Sequence, residues 1–247
     1  MSNKTIKTAL WWLCLVVAPV LLVIIELFHP AGFTDNPGMY EYLSKPEVHT
    51  HAHHALFYFG PEWWFALHMI QTPLVGLVVV GLWLLMDGID RVNGALAFLC
   101  AWLSRMASFV LIVYYTALDS IGGIGLGKTI EIVESLAKAP VDQPHLTADQ
   151  LAGVVLVLNR TWTDPWVGGV GSFISHTGSW AAFFAALFAG IALWMAKRAP
   201  LPAVLILVAF GWMLQLSHAS FHGPIAFALL AISSLWIRWA AKGAAQA

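Results

Sequence analysis

The sequence predicts an all-α integral membrane protein, a six-transmembrane-helix bundle with two long outer loops, the second of them partly helical. Of the 247 residues, 60% are hydrophobic and only 10% are charged, whereas a soluble domain carries about 45–50% apolar and about 25% charged residues. Several apolar stretches also reach the roughly 20 residues that a helix needs to cross a bilayer. We therefore expect a single polytopic membrane domain over residues 1–247.

The first predicted span covers residues 9–28 and is preceded by Lys4 and Lys7. Its apolar stretch is long for a signal peptide, and no small-residue cleavage site follows it, so we expect a span that is not cleaved. Pro19 lies in the middle of the stretch. Because proline lacks the backbone N–H of a helical hydrogen bond, we expect a kink there.

The remaining spans are predicted at residues 63–86, 95–118, 170–196, 201–218 and 224–239. Only the short segment Asp87–Gly94 joins the second span to the third, which indicates a tight helical hairpin. The apolar stretch from Ala203 to Trp239 is too long for one span, and Ser220–Pro224 indicates a turn. Each arm then has only about 16–18 residues, so we expect this turn to lie recessed in the bilayer.

The distribution of cations predicts the orientation, because cytoplasmic segments are enriched in lysine and arginine. Seven cations lie near the ends of spans on the side of the N-terminus, whereas four are spread over the two long loops. We expect a multi-pass protein of a bacterial inner membrane with both termini in the cytoplasm. The net charge of -1 excludes the basic surface that nucleic-acid binding requires.

The second long loop, Asp119–Gly169, contains two helical patterns. Ile130, Val133 and Leu136 recur at helical spacing, and Thr147 with Gln150 forms a capping box ahead of a second helix. The segment from Gly122 to Thr129 also matches the phosphate-loop pattern, but it follows a membrane helix instead of a strand. We therefore expect no nucleotide there and interpret its glycines as a tight bend after the third span.

Histidine placement is the main indication of function. In the predicted topology all ten histidines lie in the outer loops or in the outer half of a span. Neutral imidazole is the commonest metal ligand among side chains, and an ionisable residue within a span marks a functional site. We therefore expect one site that faces outward.

Haem b is the first cofactor that this pattern predicts. His68 and His176 lie at similar depths in two spans, as the axial ligands of a haem between helices must. His218 or His222 would replace one of them or bind a second centre. Arg105 is the intramembrane cation of the third span, and we expect it to pair with a carboxylate, a backbone carbonyl or a haem propionate. This interpretation predicts electron transfer or redox chemistry at the periplasmic face.

Copper or non-haem iron bound directly to the protein is the alternative, since imidazole suits both metals. Such a metalloenzyme would act on a lipophilic substrate from the bilayer. The candidate ligands are the histidines of the first outer loop and two carboxylates near the outer ends of spans: His29, His49, His51, His53, His54, Glu26 and Asp119.

A third interpretation is a carrier or scaffold subunit. Polar residues would then line a transport path, or the chain would serve a larger membrane complex. The expected partners are the lipid bilayer together with other subunits or a periplasmic electron carrier. Both cysteines, Cys14 and Cys100, lie in apolar stretches, so the sequence offers no disulfide framework or thiolate zinc site.

Overall fold

The computed structural model describes residues 3–29, 38–44, 60–169, 171–219 and 221–244. All regular secondary structure in these ranges is helical. Within these ranges, five helices are long and apolar enough to cross a membrane: Lys4–Glu26, Gly60–Leu85, Ala95–Lys138, Phe173–Met195 and His222–Ala241. The chain is therefore an α-helical, multi-pass membrane protein.

The N-terminal span consists of α1 (Asn3–Trp12), a π-helical turn (Leu13–Val17) and α2 (Ala18–Glu26). Pro19 lies in the first turn of α2, directly after the π-helical turn. Proline has no N–H to donate and its ring clashes with the carbonyl four residues earlier, so the wider π turn accommodates it without ending the helix. The next described helix is the short α3 (Met39–Ser44).

Two helices follow the bounds predicted for the second and third spans. These are α4 (Gly60–Leu85) and α5 (Ala95–Leu118). Their connection contains a 3₁₀ turn, and there the Asp90 side chain accepts from the N–H of Val92 while the Asn93 side chain accepts from the N–H of Asp90. Gly94 ends this turn at a φ of 100°, which favours glycine. Turn chemistry thus explains how so short a connection ends one helix and starts the next.

The prediction of a tight bend at the glycines after the third span is wrong. Instead, α5 continues through a π-helical turn (Asp119–Gly125) directly into α6 (Leu126–Lys138), so that the helical segment runs from Ala95 to Lys138. The phosphate-loop pattern therefore lies in continuous helix, where Thr129 donates to the carbonyl of Gly125. A helix there leaves no loop to surround a phosphate.

The C-terminal part contains α7 (Ala148–Trp162), α8 (Phe173–Met195), α9 (Leu201–Leu216) and α10 (His222–Ala244). The last apolar stretch is divided into two helices as predicted, since α9 ends at Leu216 and α10 begins at His222. The break comes earlier than the predicted Ser220–Pro224, because His222, Gly223 and Pro224 already belong to α10. With 16 residues, α9 is shorter than the roughly 20 that a span needs. Its crossing of the membrane, and hence the count of six spans, stays a prediction.

The chain divides into two compact units. Unit 1 comprises 1–27, 73–113 and 177–247, and in it α10 packs against both α9 and α2. Serine hydroxyls join its helices: Ser104 of α5 donates to the carbonyl of Ala185 in α8, and Ser233 of α10 donates to that of Ala203 in α9, both at 2.7 Å. Such hydrogen bonds and small residues allow membrane helices to approach closely.

Gly211 of α9 packs directly against α8, and we expect this position to be sensitive to mutation. A Cβ at Gly211 would lie 2.6 Å from the Cβ of Ala186 and 3.1 Å from the Cα of Phe183, neither of which can rotate away. We expect Gly211→Ala to lower the free energy of unfolding by about 1–3 kcal/mol through overpacking, measured by denaturant titration in detergent.

Gly190→Ala is the matched control for Gly211→Ala. There the two closest contacts of the new methyl group would be the side chains of Val204 and Val208, at 3.0 and 3.3 Å, which can adjust, and the carbonyl oxygen of Val204 lies at an ordinary 3.8 Å. We expect the smaller loss at Gly190. Equal losses would show that α8 and α9 are not held as closely at Gly211 as described.

Unit 2 comprises 28–72 and 114–176, and its core lies where α3, α6 and α7 pack together. The capping box of Thr147 and Gln150 at the start of α7 is confirmed. Asn159 of α7 accepts from the N–H of Tyr40 and donates to Glu41, both at 2.9 Å, which attaches α3 to α7. The buried core residues are Met39, Tyr40, Tyr42, Leu43, Trp64, Leu126, Ile130, Val133 and Leu158.

Tyr40 also attaches α3 to α6, because its hydroxyl donates to the carboxylate of Glu134. Burial raises the pKa of the Tyr40 phenol, and the hydrogen bond to Glu134 raises this pKa further. The phenol therefore stays protonated at neutral pH and keeps its role as a donor.

Candidate metal centre

Two buried histidines lie next to each other in unit 2. His29 follows the end of α2 and is 1% exposed, and His68 lies in the third turn of α4 and is 3% exposed. Their ring centroids are 5.3 Å apart in an edge-to-face arrangement, and each ring offers a nitrogen within 4.8 Å of the other. Imidazoles so placed, away from solvent, are suited to sharing one ion.

Trp64 orients both rings. Its indole lies 4.6 Å from the ring of His68 and 5.2 Å from that of His29. Its backbone carbonyl lies 2.7 Å from Nδ1 of His68, one helical turn further along α4. A carbonyl oxygen only accepts, so Nδ1 carries the proton and Nε2 of a neutral ring carries the lone pair. A ligating histidine is typically oriented by such a hydrogen bond from its other nitrogen.

The π-helical turn between α5 and α6, Asp119–Gly125, lets the backbone approach His68 closely. Gly123 lies in this turn, and a Cβ there would overlap the imidazole of His68. The turn is anchored to α4 by the indole N–H of Trp64, which donates to the carbonyl of Gly122 at 2.9 Å. Single π turns within α-helices are frequent at functional sites. Here the π turn places backbone, and not a side chain, against the imidazole.

A buried carboxylate lies one helical turn beyond His68. Thr72 of α4 has its hydroxyl 2.8 Å from Oδ2 of Asp119 and 2.9 Å from the carbonyl of His68. Asp119 is 1% exposed, and its Oδ1 has no hydrogen-bond partner among the described residues. Close by in the sequence, Gln71 donates to the hydroxyl of Tyr115 at 2.5 Å. Unit 2 therefore combines its imidazole pair with two separate hydrogen-bonded polar pairs, Thr72 with Asp119 and Gln71 with Tyr115.

The spacing of the two imidazoles agrees with metal coordination. A histidine nitrogen binds zinc at about 2.0–2.1 Å, so two nitrogens on opposite sides of an ion of that size lie about 4 Å apart. The nitrogens of His29 and His68 are within 4.8 Å of each other. A small movement of either ring would bring both within bonding distance of one ion.

Among the histidines predicted for haem, the structure does not bring His176 to His68. His176 lies near the start of α8 and is exposed, whereas His68 is buried. His176 also belongs to no group of three or more potential metal ligands in the described part of the chain. Equal depth along two spans does not decide which face of a helix a side chain occupies.

The other predicted pair, His218 and His222, belongs to unit 1. His218 lies in the turn after α9, and His222 is an exposed residue at the start of α10. Because no helix contains both, their spacing of four residues does not place them on one helical face. Glu26 is fully buried at the end of α2, near Gly223, whose Cβ would lie 3.4 Å from that of Glu26.

Arg105 also lies in unit 1, where it interacts with the backbone. Its Nη2 donates to the carbonyl of Met86 at 3.0 Å, and its guanidinium lies 5.3 Å from the ring centroid of Trp102. Of the partners expected from the sequence, the structure therefore has the backbone carbonyl. Four predicted metal ligands lie outside the described residues: His49, His51, His53 and His54.

Sequence reasoning missed Trp64, Thr72 and Gly123. One signal for two of them was present, because Trp64, His68 and Thr72 follow each other at intervals of four and share a helical face. The role of Gly123 had no such signal, since the π turn that brings it to the imidazole depends on tertiary packing. In comparisons with known proteins, no family model, no curated protein and no solved structure matches this chain.

Proposed function

We propose that the protein is a membrane metalloprotein that binds a transition-metal ion directly through His29 and His68. The carrying observation is the adjacency of these two buried rings, with ring nitrogens within 4.8 Å of each other. Copper is the first candidate because imidazole ligands suit it and because it binds more tightly than other divalent first-row metals. Iron is the second candidate.

Direct metal binding is favoured over haem b by the placement of His176. The haem hypothesis depends on His68 and His176 as a facing axial pair, and an exposed His176 offers no such partner to a buried His68. Direct coordination needs only side chains that are already neighbours. Asp119, which is buried and accepts from Thr72 one helical turn beyond His68, places carboxyl oxygens near this pair.

The proposed activity is redox chemistry on a lipophilic substrate that enters from the bilayer. We place the protein in a bacterial inner membrane with both termini in the cytoplasm, so that the metal lies towards the periplasm. The cation distribution of the sequence supports this orientation. An electron carrier in the periplasm or another membrane subunit would exchange electrons with the metal.

Metal analysis of protein purified in detergent tests this proposal. We expect copper or iron at a stoichiometry near one per chain, an absorption spectrum without a Soret band, and a paramagnetic signal in the oxidised form. Loss of a group that hydrogen-bonds to a metal ligand typically costs about 10–100-fold in metal affinity. We expect His29→Ala and His68→Ala each to cost more, because each removes a ligand.

His176→Ala is the matched control, since it removes an exposed histidine of unit 2. This variant should keep its full metal content. A Soret band that is lost in His176→Ala would overturn direct coordination and restore the haem hypothesis. A wild-type protein that stays free of metal after incubation with copper and iron would refute the proposed function.

A further inference from the structure

A cavity of about 870 Å³ lies in unit 1, within the range of about 300–1,000 Å³ typical of ligand pockets. It is formed where α4 and α8 end, α9 begins and α10 approaches its C-terminus, with Trp11 of α1 contributing to the wall. The wall combines apolar side chains with three cations, Lys197, Arg198 and Arg238, and no described acidic residue lines it. Its charge therefore favours an anion.

Arg238 lies against aromatic rings, and no acid in the described part of the chain forms an ion pair with it. Its guanidinium carbon lies 4.5 Å from the ring centroid of Trp11 and 5.4 Å from that of Trp12. Its Nε is buried and has no hydrogen-bond partner among the described residues. A guanidinium has a planar set of donors that matches phosphate and carboxylate, so an anion in the cavity would satisfy the unpaired donor.

Arg198 contributes a second charge, and no carboxylate of the described residues pairs with it by direct contact. Its Nη1 donates to the backbone carbonyl of Asp87 at 2.5 Å. The carboxylate of Asp87 instead pairs with Lys7 at 2.8 Å, and this hydrogen bond lowers the pKa of Asp87. The guanidinium of Arg198 thus keeps its charge beside the cavity.

Lys197 adopts an unusual backbone conformation, with a φ of 55°. The N–H of Arg198 donates to the carbonyl of Leu193 and the N–H of Lys197 to that of Trp194, which is the Schellman pattern at the end of α8. Glycine normally occupies this left-handed position, so a lysine there is strained. The strained residue is itself one of the cations in the cavity wall. Backbone strain is frequent at ligand sites.

The start of α9 adds a further positive element. Leu201, its first residue, lines the cavity, and no side chain caps this end of the 16-residue helix. The N-terminus of a helix carries a partial positive charge and N–H groups that favour phosphate. This partial charge adds to the charge of the Arg238 guanidinium, whose unpaired Nε is separate evidence for an anion in the cavity.

We propose that this cavity binds the headgroup phosphate of an acidic phospholipid, with phosphatidylglycerol as the type case. The phosphodiester would lie among Lys197, Arg198 and Arg238, and the acyl chains would follow the apolar wall and exposed side chains such as Trp194 and Leu201. Basic pockets between membrane helices at the cytoplasmic side bind lipid headgroups in this way. The proposal is independent of the metal centre, which belongs to unit 2.

Native mass spectrometry in detergent tests this site with two lipids of equal chain length, palmitoyl-oleoyl phosphatidylglycerol and palmitoyl-oleoyl phosphatidylcholine. We expect tighter binding of phosphatidylglycerol and a preference that declines with added salt. A cation near a membrane surface contributes about 1 kcal/mol to the binding of an anionic lipid. We therefore expect Lys197→Asn and Arg238→Gln each to weaken phosphatidylglycerol binding about fivefold.

Lys197→Asn guards against misfolding, because asparagine tolerates the left-handed conformation better than most residues. Arg91→Gln is the matched control, since Arg91 is an exposed cation of the 3₁₀ turn that does not line the cavity. It should leave binding unchanged. Equal binding of the two lipids, or no effect in either cavity variant, would overturn the proposal. Displacement of the lipid by millimolar inorganic phosphate would do so too, because it would indicate a site for a free anion.

Discussion

Gly123→Ala is expected to abolish metal binding although it changes no candidate ligand. A Cβ at this position would occupy the volume of the His68 imidazole, and the ring cannot move far because its Nδ1 is bonded to the carbonyl of Trp64 at 2.7 Å. Either the ring leaves its position beside His29 or the π turn moves away from α4. We expect a loss of metal affinity of at least about 100-fold and a loss of stability of about 1–3 kcal/mol from overpacking.

Gly122→Ala is the control for this prediction, because it makes the same change one residue earlier in the same π turn. Its Cβ would meet the indole of Trp162 at 3.3 Å, a contact that a side chain relieves by shifting a few tenths of an ångström. Metal content and unfolding should be measured on both variants. If Gly123→Ala binds metal as tightly as Gly122→Ala, the π turn does not position His68.

Trp64→Ala is expected to have the largest effect on stability. Trp64 is 2% exposed, belongs to the hydrophobic core of unit 2 and donates its indole N–H to the carbonyl of Gly122. Removing a large buried aromatic side chain typically costs about 3–5 kcal/mol, and here the carbonyl of Gly122 also loses its donor. We expect a loss within or above this range in the free energy of unfolding, measured by denaturant titration in detergent.

Trp63→Ala separates burial from the loss of a tryptophan hydrogen bond. Trp63 also donates its indole N–H to a carbonyl, that of Phe28 at 2.9 Å, but it is only half-buried. We expect a clearly smaller destabilisation than at Trp64. Similar losses at the two positions would contradict the description of Trp64 as a buried core residue of unit 2.

Much of the architecture could be predicted because the solvent constrains it strongly. In hydrocarbon every backbone N–H and carbonyl must be bonded within the segment, so an apolar stretch of sufficient length forms a helix. The prediction for residues 95–118 accordingly agrees with α5, and length alone predicts that the last apolar stretch is two helices, although the break lies earlier than Ser220–Pro224. The bend expected after α5 was wrong because glycine in a sequence permits a bend without requiring one, and packing kept that segment helical.

The sequence predicts which residue types form the site more accurately than it predicts which residues are neighbours. The sequence makes both His29 and His68 candidates, but it assigns them to different cofactors and pairs His68 with His176. The depth of a residue along a span can be read from the sequence, whereas the direction of its side chain depends on how each helix is rotated about its axis. That rotation is set by contacts such as those of Trp64 with Gly122 and of Gly123 with His68.

The sequence by itself determined that this chain is a helical membrane protein, where most of its helices begin and end, and that imidazole is its most abundant candidate ligand. The tertiary structure alone decided that His29 and His68 are neighbours, that His176 is exposed, and that three cations line one cavity in unit 1. The physical reason is that hydrophobicity and backbone hydrogen bonding act along the chain, where they can be read locally. Side-chain partnerships depend on contacts between residues that are distant in the sequence.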